Sequence, residues 1–392
     1  MISNIRNLLF VLLGLVLPFS GFASSTTQFV LFPNILVISL FILVISEGEF
    51  RRKITRIKSS KWMVSLSLLL ILYYLSFFIY GQFSDTIWIL KRVSILWILP
   101  ILYSVPFPIK TIYKSLFAFL FSMFLSSVIA ILENIELINI NGENWTWAAF
   151  LKYTDHNLFL ASSIVISIYL LFKVEFHKKY KNIIFFFLPF YLFSIFTEAG
   201  KSGQIVLILF LILFFIFFFK NNIKKLIISV ITLIIAVFVI YNTSEIVEKR
   251  FTYEIKRFIE NKTSSRSLLF NHSIDLIKEN PVLGYGAGIF TDKFGEINEE
   301  TKKVLRYQHK TPHNNYLYVW IELGLLGLLL FLLIFYFQIK ELYYQNDGDF
   351  MILLPIMYLC VMMTDTYLFN QNTLILYVFL SVIVVNYQYK LS

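Results

Sequence analysis

The chain has 392 residues, of which 58% are hydrophobic and only 15% charged, yet its net charge is +10. Soluble domains average about 45–50% apolar and about 25% charged residues, so a soluble enzyme, a disordered chain and a disulfide scaffold are excluded. An apolar core cannot hold the 34 Lys and Arg against 24 Asp and Glu, so these residues must gather in loops. The apolar runs are long and do not alternate, which also excludes an outer-membrane barrel.

A bilayer-crossing helix needs about 20 mainly apolar residues. In chain order twelve runs qualify: 7–23, 29–46, 63–81, 87–105, 112–132, 157–171, 183–196, 204–219, 226–241, 314–337, 350–363 and 373–387. The expected fold is therefore all-α: a polytopic membrane protein of about 12 transmembrane helices with one large helical extracytoplasmic loop. Three parts follow: 1–241 with helices one to nine, the loop 242–312, and 313–392 with helices ten to twelve. Arg6, the apolar run 8–18 and the small residues at 21–24 also resemble a signal peptide. A second apolar run from Gln28 favours an uncleaved first span instead.

Charge sets the orientation, because short cytoplasmic loops collect Lys and Arg. With a cytoplasmic N-terminus, the cytoplasmic segments hold 18 basic residues and the short external loops hold two, Lys152 and Lys201. Both termini are then cytoplasmic. The long loop, with 12 basic and 10 acidic residues, is nearly balanced. The net charge is thus mostly a topology signal, not a nucleic-acid signature.

A loop of about 70 residues is too long for a mere connector. Val247, Phe251, Ile255 and Phe258 share one helical face. A second helix is expected from Ser265 to Glu279, burying Leu268, Leu269, Leu276 and Ile277 and ended by Pro281. Then comes Gly284-Tyr285-Gly286-Ala287-Gly288, whose glycines allow unusual backbone angles and close approach of a ligand, or a plain turn. No strand precedes it, so a dinucleotide fingerprint is rejected. The loop ends at Pro312-His313-Asn314-Asn315, where the tenth span begins. The helix dipole there disfavours a protonated imidazole, as a general base requires. An interfacial histidine with no chemical role is the alternative.

Charges inside apolar runs need a reason. Lys91 and Arg92 lie about 8 Å into the fourth span, where they either snorkel or bind an anion. Lys201, in Thr197-Glu198-Ala199-Gly200-Lys201-Ser202-Gly203, opens a helix and suits a phosphate oxygen, or else pairs with Glu198. Glu322 lies nine residues beyond His313, half a turn round the helix, and so cannot orient it. It is read as a bundle residue beside Gly324 and Gly327. The single Cys360 makes neither an intramolecular disulfide nor a thiolate zinc site. There is no HExxH, P-loop or CxxC. Asp347-Gly348-Asp349 sits in a short cytoplasmic loop and is read as chance. No metal and no cofactor are expected.

In order, Lys201-Ser202-Gly203, Arg266, Pro281-Val282-Leu283-Gly284-Tyr285-Gly286-Ala287-Gly288, His313-Asn314-Asn315-Tyr316-Leu317 and Glu322-Leu323-Gly324-Leu325-Leu326-Gly327 resemble the O-antigen ligase/polymerase superfamily of bacterial envelope enzymes. Asp155-His156-Asn157 is similar to a further family feature. These motifs cover roughly 155–330. The resemblance implies a multi-pass inner-membrane glycosyltransferase with an outward-facing site. Its donor would be an undecaprenyl-diphosphate-linked oligosaccharide, and its acceptor another glycan or lipid A-core. Membrane lipid and polysaccharide-assembly proteins are the further partners, and nucleic acid is not one. His313 would be the base. Arg266, Lys201, Arg250 and Lys91 would clamp the diphosphate, and Gly284, Gly286 and Asn314 would contact loop or substrate. Many members carry arginine where Lys201 stands, so its contact would be a point charge. A diphosphate leaving group needs no metal, and one displacement would invert the anomeric centre. Polymerase is favoured over ligase, which shares the chemistry. A lipid-glycan transporter or flippase is the alternative from another class. It would predict internal repeats, and no half-to-half similarity is evident.

Overall fold

The computed structural model describes residues 2–20, 31–140, 147–173, 178–198, 200–219, 221–243, 252, 265–296, 309–345 and 352–388. Its helices are α1 (Ile2–Val16), α2 (Leu31–Ser46), α3 (Phe50–Ser59), α4 (Lys61–Tyr80), α5 (Thr86–Leu96), α6 (Ile98–Tyr103), α7 (Ile109–Asn134), α8 (Tyr153–Lys173), α9 (Lys178–Thr197), α10 (Lys201–Phe219) and α11 (Ile223–Thr243). After these come α12 (Ser265–Glu279), α13 (Phe290–Gly295), α14 (Asn315–Gln345), α15 (Leu353–Val361) and α16 (Gln371–Gln388). A two-residue antiparallel hairpin, β1 (Trp147–Ala148) with β2 (Leu151–Lys152), precedes α8. The chain is an all-α polytopic membrane protein.

Each of the twelve apolar runs coincides with a helix, the fourth being α5 and α6 together. Among the described residues, seven helices are long and apolar enough to cross a bilayer, and the bent pair of α2 and α3 would make an eighth. The eleventh run differs from expectation. Helix α15 has nine residues and rises about 14 Å, half of a hydrocarbon core about 30 Å thick.

Helix α2 shows why the setting is lipid. It buries Val37, Leu40 and Val44 and exposes Ile35, Ile38, Ile42 and Ile45. A helix of a soluble protein would place polar residues on that second face.

The chain forms two compact units. The first comprises Met1–Phe10, Ile35–Ile112 and Thr263–Ser392; the second comprises Val11–Asn34 and Tyr113–Lys262. In the first unit α4 and α14 form the central pair, α12 packs across α14, and α16 packs on α5 and α6. Helix α4 begins at Ser60, whose hydroxyl accepts from the Met63 N–H. It stops at Gly81, whose φ of 81° no other residue adopts comfortably. Its 20 residues separate the two ends of the unit by about 30 Å. At one end Glu341 accepts from Ser60 and the Lys61 N–H, each at 2.8 Å. At the other end the α4–α5 corner, the glycine loop, Lys310–Asn314 and the turn after α15 meet. In the second unit α8 packs against α9 and α10, and α10 against α11.

Helix α14 is broken. Gly324 has φ 65° and ψ −164°, a combination open only to glycine, and it divides 31 residues into two helical arms. The break frees backbone groups, and the glycine loop takes them up. The Tyr285 and Gly286 N–H groups donate to the Ile321 and Glu322 carbonyls at 2.9 and 2.8 Å, and the Leu325 N–H donates to Pro281 O at 3.0 Å. A Cβ on Gly284 would lie 2.5 Å from Gly324 N, and one on Gly324 would lie 2.1 Å from Val282 O. The close approach that these glycines permit is therefore made to α14.

Candidate active site

The site is built at the start of α14. Asn314 caps the helix: its carboxamide oxygen accepts from the Tyr316 and Leu317 N–H groups at 2.9 and 3.1 Å. The same short motif then grips the turn after α15. Asn314 Nδ2 donates to Met363 O at 3.2 Å, and the Asn315 N–H to Met362 O at 2.9 Å. Asn315 Oδ1 accepts from the Leu368 N–H at 3.3 Å. The Tyr316 hydroxyl donates to Leu359 O at 2.6 Å. These bonds bring Asp365 to His313.

His313 has a left-handed φ of 53°, uncommon for a residue with a side chain. Its Nδ1 lies 2.9 Å from Asp365 Oδ1, and its Nε2 lies 3.2 Å from Nδ1 of His309. Both His313 and Asp365 stay partly open to solvent. Burial alone would push the Asp365 carboxyl up. The His313 hydrogen bond and charge, the Thr366 N–H and the Arg266 charge outweigh burial and hold it below the ordinary carboxylate value. An ionised Asp365 is the natural acceptor for a proton on Nδ1, an arrangement that orients the ring and leaves Nε2 as the nitrogen turned away from the carboxylate.

Of the expected site residues, Arg266 acts on this group through its charge. It is exposed at the second position of α12, and its charge reaches Asp365. Helix α12 has the expected bounds and buries Leu269, Leu276 and Ile277. Lys91 is exposed on α5; among the described residues, no hydrogen bond or ion pair joins it to His313, Asp365 or Arg266. The neighbouring Arg92 lies over the Trp88 ring at 5.1 Å. Lys201 opens α10 as expected, but its side chain lies outside the described residues, as does the whole of Arg250 and the first expected loop helix.

Glu322 does not orient His313, whose Nδ1 goes to Asp365 instead. It is fully buried; its Oε1 accepts from the Gly288 N–H at 2.7 Å, and the phenols of Tyr73 and Tyr318 lie beside it. Asp85 ties the α4–α5 corner to the same end. It takes Lys310 Nζ at 2.9 Å and the Thr291 hydroxyl.

The second unit holds its own buried polar group. His156 Nδ1 lies 2.8 Å from Glu198 Oε1, and its Nε2 lies 2.9 Å from Ser126 Oγ. Glu198 also accepts from Ser194 at 2.6 Å and Asn157 at 3.1 Å. Gly200 and Gly203 pack directly on Asn157, where a Cβ would come within 2.3 and 2.6 Å of it. The group thereby fixes the entry to α10.

Residues 184–332 match the family model described as O-antigen ligase. This segment is similar to the O-antigen ligase family. The O-antigen ligase segment runs from α9 into α14 and includes Lys201, Arg266, the glycine loop and His313, while Asp365 lies beyond it. An uncharacterized protein of Haemophilus influenzae is 29% identical over 204 residues, which is 47% of this chain and 49% of that relative. The chain thus spans about half the length of the curated relative it matches.

Asp365, His309 and Lys310 escaped the sequence reading. For Asp365 a signal existed. It is the only acidic residue between the last two apolar runs, in a turn that alternating crossings put at the same end as His313.

Proposed function

We propose that the chain is a membrane glycosyltransferase that moves a glycan from an undecaprenyl-diphosphate carrier to an acceptor hydroxyl. The observation that carries this reading is the His313–Asp365 pair, on which the Arg266 charge acts, within and next to the O-antigen ligase segment. With the acceptor hydroxyl in place of His309 as its partner, His313 Nε2 takes the hydroxyl proton, and Asp365 stabilises the imidazolium that forms. The acceptor oxygen bonds to the anomeric carbon as the bond to the carrier diphosphate breaks, which inverts that centre. Arg266 offsets the charge that develops on the departing diphosphate. Lys201, Arg250 and Lys91 are its proposed companions, with residues 242–312 as the large extracytoplasmic loop. The 18-to-2 asymmetry of basic residues supports a bacterial inner-membrane location with both termini cytoplasmic and the site outward.

Surface-polysaccharide polymerase is the role proposed first, and the family description favours a ligase as the second reading. A null strain separates them. Surface glycan capped at a single repeat indicates the polymerase; long chains left on the carrier indicate the ligase. Normal surface glycan would overturn both.

A further inference from the structure

The end of the first unit remote from His313 carries a feature the transfer chemistry does not use. A cavity of about 640 Å³ opens among Arg6, Glu47, Arg52, Lys53, Ser104 and Pro106, with Glu49 at its edge. Arg6 is 6% exposed, yet its Nε has no hydrogen-bond partner. Its other nitrogens are used: Nη1 binds the Glu47 carboxylate, and Nη2 donates to Pro106 O at 3.1 Å. An orphaned guanidinium N–H beside a cavity calls for an anionic oxygen. Both carboxylates that line the cavity are already engaged, Glu47 by Arg6 and Glu49 by Arg52 at 3.2 Å.

Helix α3 forms the cavity wall, and its sequence is Phe50-Arg51-Arg52-Lys53-Ile54-Thr55-Arg56-Ile57-Lys58-Ser59. It carries five cations and no acid, and it leaves α2 at 115°. At 115° from α2, α3 would lie along the surface of a bilayer that α2 crosses. Phe50 and Ile54 sit on one face and are 56% and 50% exposed. Arg51 and Lys58 are exposed on the adjoining arc, Arg52 is exposed on the opposite side toward the cavity, and Lys53 turns inward to Val44 O. Exposed apolar residues flanked by cations are the pattern of an interfacial helix on anionic lipid.

We propose that this cavity and α3 form a binding site for the phosphate headgroup of an anionic phospholipid, with Phe50 and Ile54 against its acyl chains. The proposal is independent of the transfer chemistry.

The test uses the full chain purified in detergent. Lipid retention in native mass spectrometry and the thermal midpoint are measured with phosphatidylglycerol, phosphatidylcholine or inorganic phosphate. Wild type should retain phosphatidylglycerol over phosphatidylcholine and gain a higher midpoint from it. Arg51→Gln and Arg52→Gln, both at exposed positions, should each weaken retention about fivefold. Arg6→Lys, which keeps a charge for Glu47 but lacks Nε, should weaken it as well. Should Arg6→Lys fail to fold, the two surface substitutions still decide. Equal retention of the two lipids, or unchanged retention in both surface variants, would overturn the site. Full stabilisation by inorganic phosphate at matched ionic strength would make it a free-anion site and overturn the lipid assignment.

Discussion

His313 stands one residue outside a helix, on a left-handed backbone, with both ring nitrogens engaged. Each engagement makes a measurable demand. His313→Ala should abolish glycan transfer while the chain still folds and inserts into the membrane; transfer at the normal rate would remove it as the base. Asp365→Asn keeps the shape but not the charge, so turnover should fall about 10²- to 10⁴-fold. The pH dependence of stability has a defined sign. A carboxyl held below its ordinary value contributes stability above about pH 4, and that contribution is lost as pH falls through the lower folded value. The difference in midpoint between wild type and Asp365→Asn should therefore shrink as the pH falls below about 4. His272, on α12, behaves in the other sense. Burial pushes its imidazole down, despite a backbone hydrogen bond to Lys293 and nearby carboxylates. It folds neutral, so it should begin to cost stability as pH drops below about 6.5, and His272→Phe should flatten that part of the profile.

At the scale of elements, α14 is the organising piece, with its cap, its break and its grip on the α15 turn. Asn314→Ala should cost about 1 kcal/mol through the lost cap. Transfer should fall further than that cost implies, because the turn holding Asp365 loosens too. Gly324→Ala should destabilise by about 1–3 kcal/mol from the backbone alone, and more from the contact with Val282 O. Thermal melts in detergent check both. Local signals made part of this legible in the sequence. The period of Leu269, Leu276 and Ile277 and the stop at Pro281 give α12 its bounds, although Leu268, expected in the same set, is only half-buried; the angular spacing of Glu322 and His313 assumed one helix, and His313 lies outside it. The break was not legible, since Gly324 in an apolar helix reads equally well as a close-packing residue. Nor was the pairing of His313 with Asp365, 52 residues apart, because it depends on where the short α15 ends. Helix α15 itself reads as a full crossing by composition.

For the whole molecule, the alternation of crossings sorts the first unit's connections into two ends, and the structure gathers them accordingly. The Gly81–Asp85 corner, the glycine loop, His313 and Asp365 share one end, and Ser60 and Glu341 mark the other. Which end faces outward rests on the basic-residue asymmetry. In a Cys360→Ser background, Leu283→Cys, 67% exposed at the site end, should react with an impermeant thiol reagent on intact cells. Lys58→Cys, exposed on α3, should react only after permeabilisation. The reverse pattern would invert the orientation.

The join between the broken helix and the glycine loop has a kinetic consequence. Lifting the loop away would leave the amides of Tyr285, Gly286 and Leu325, and the carbonyls opposite them, without partners where water is scarce. Residues 281–288 and 320–325 must then move together. The room an incoming chain needs has to open elsewhere round His313. Those amides, although they lie in a connecting loop and at a helix break, should exchange with deuterium as slowly as the interior of α4.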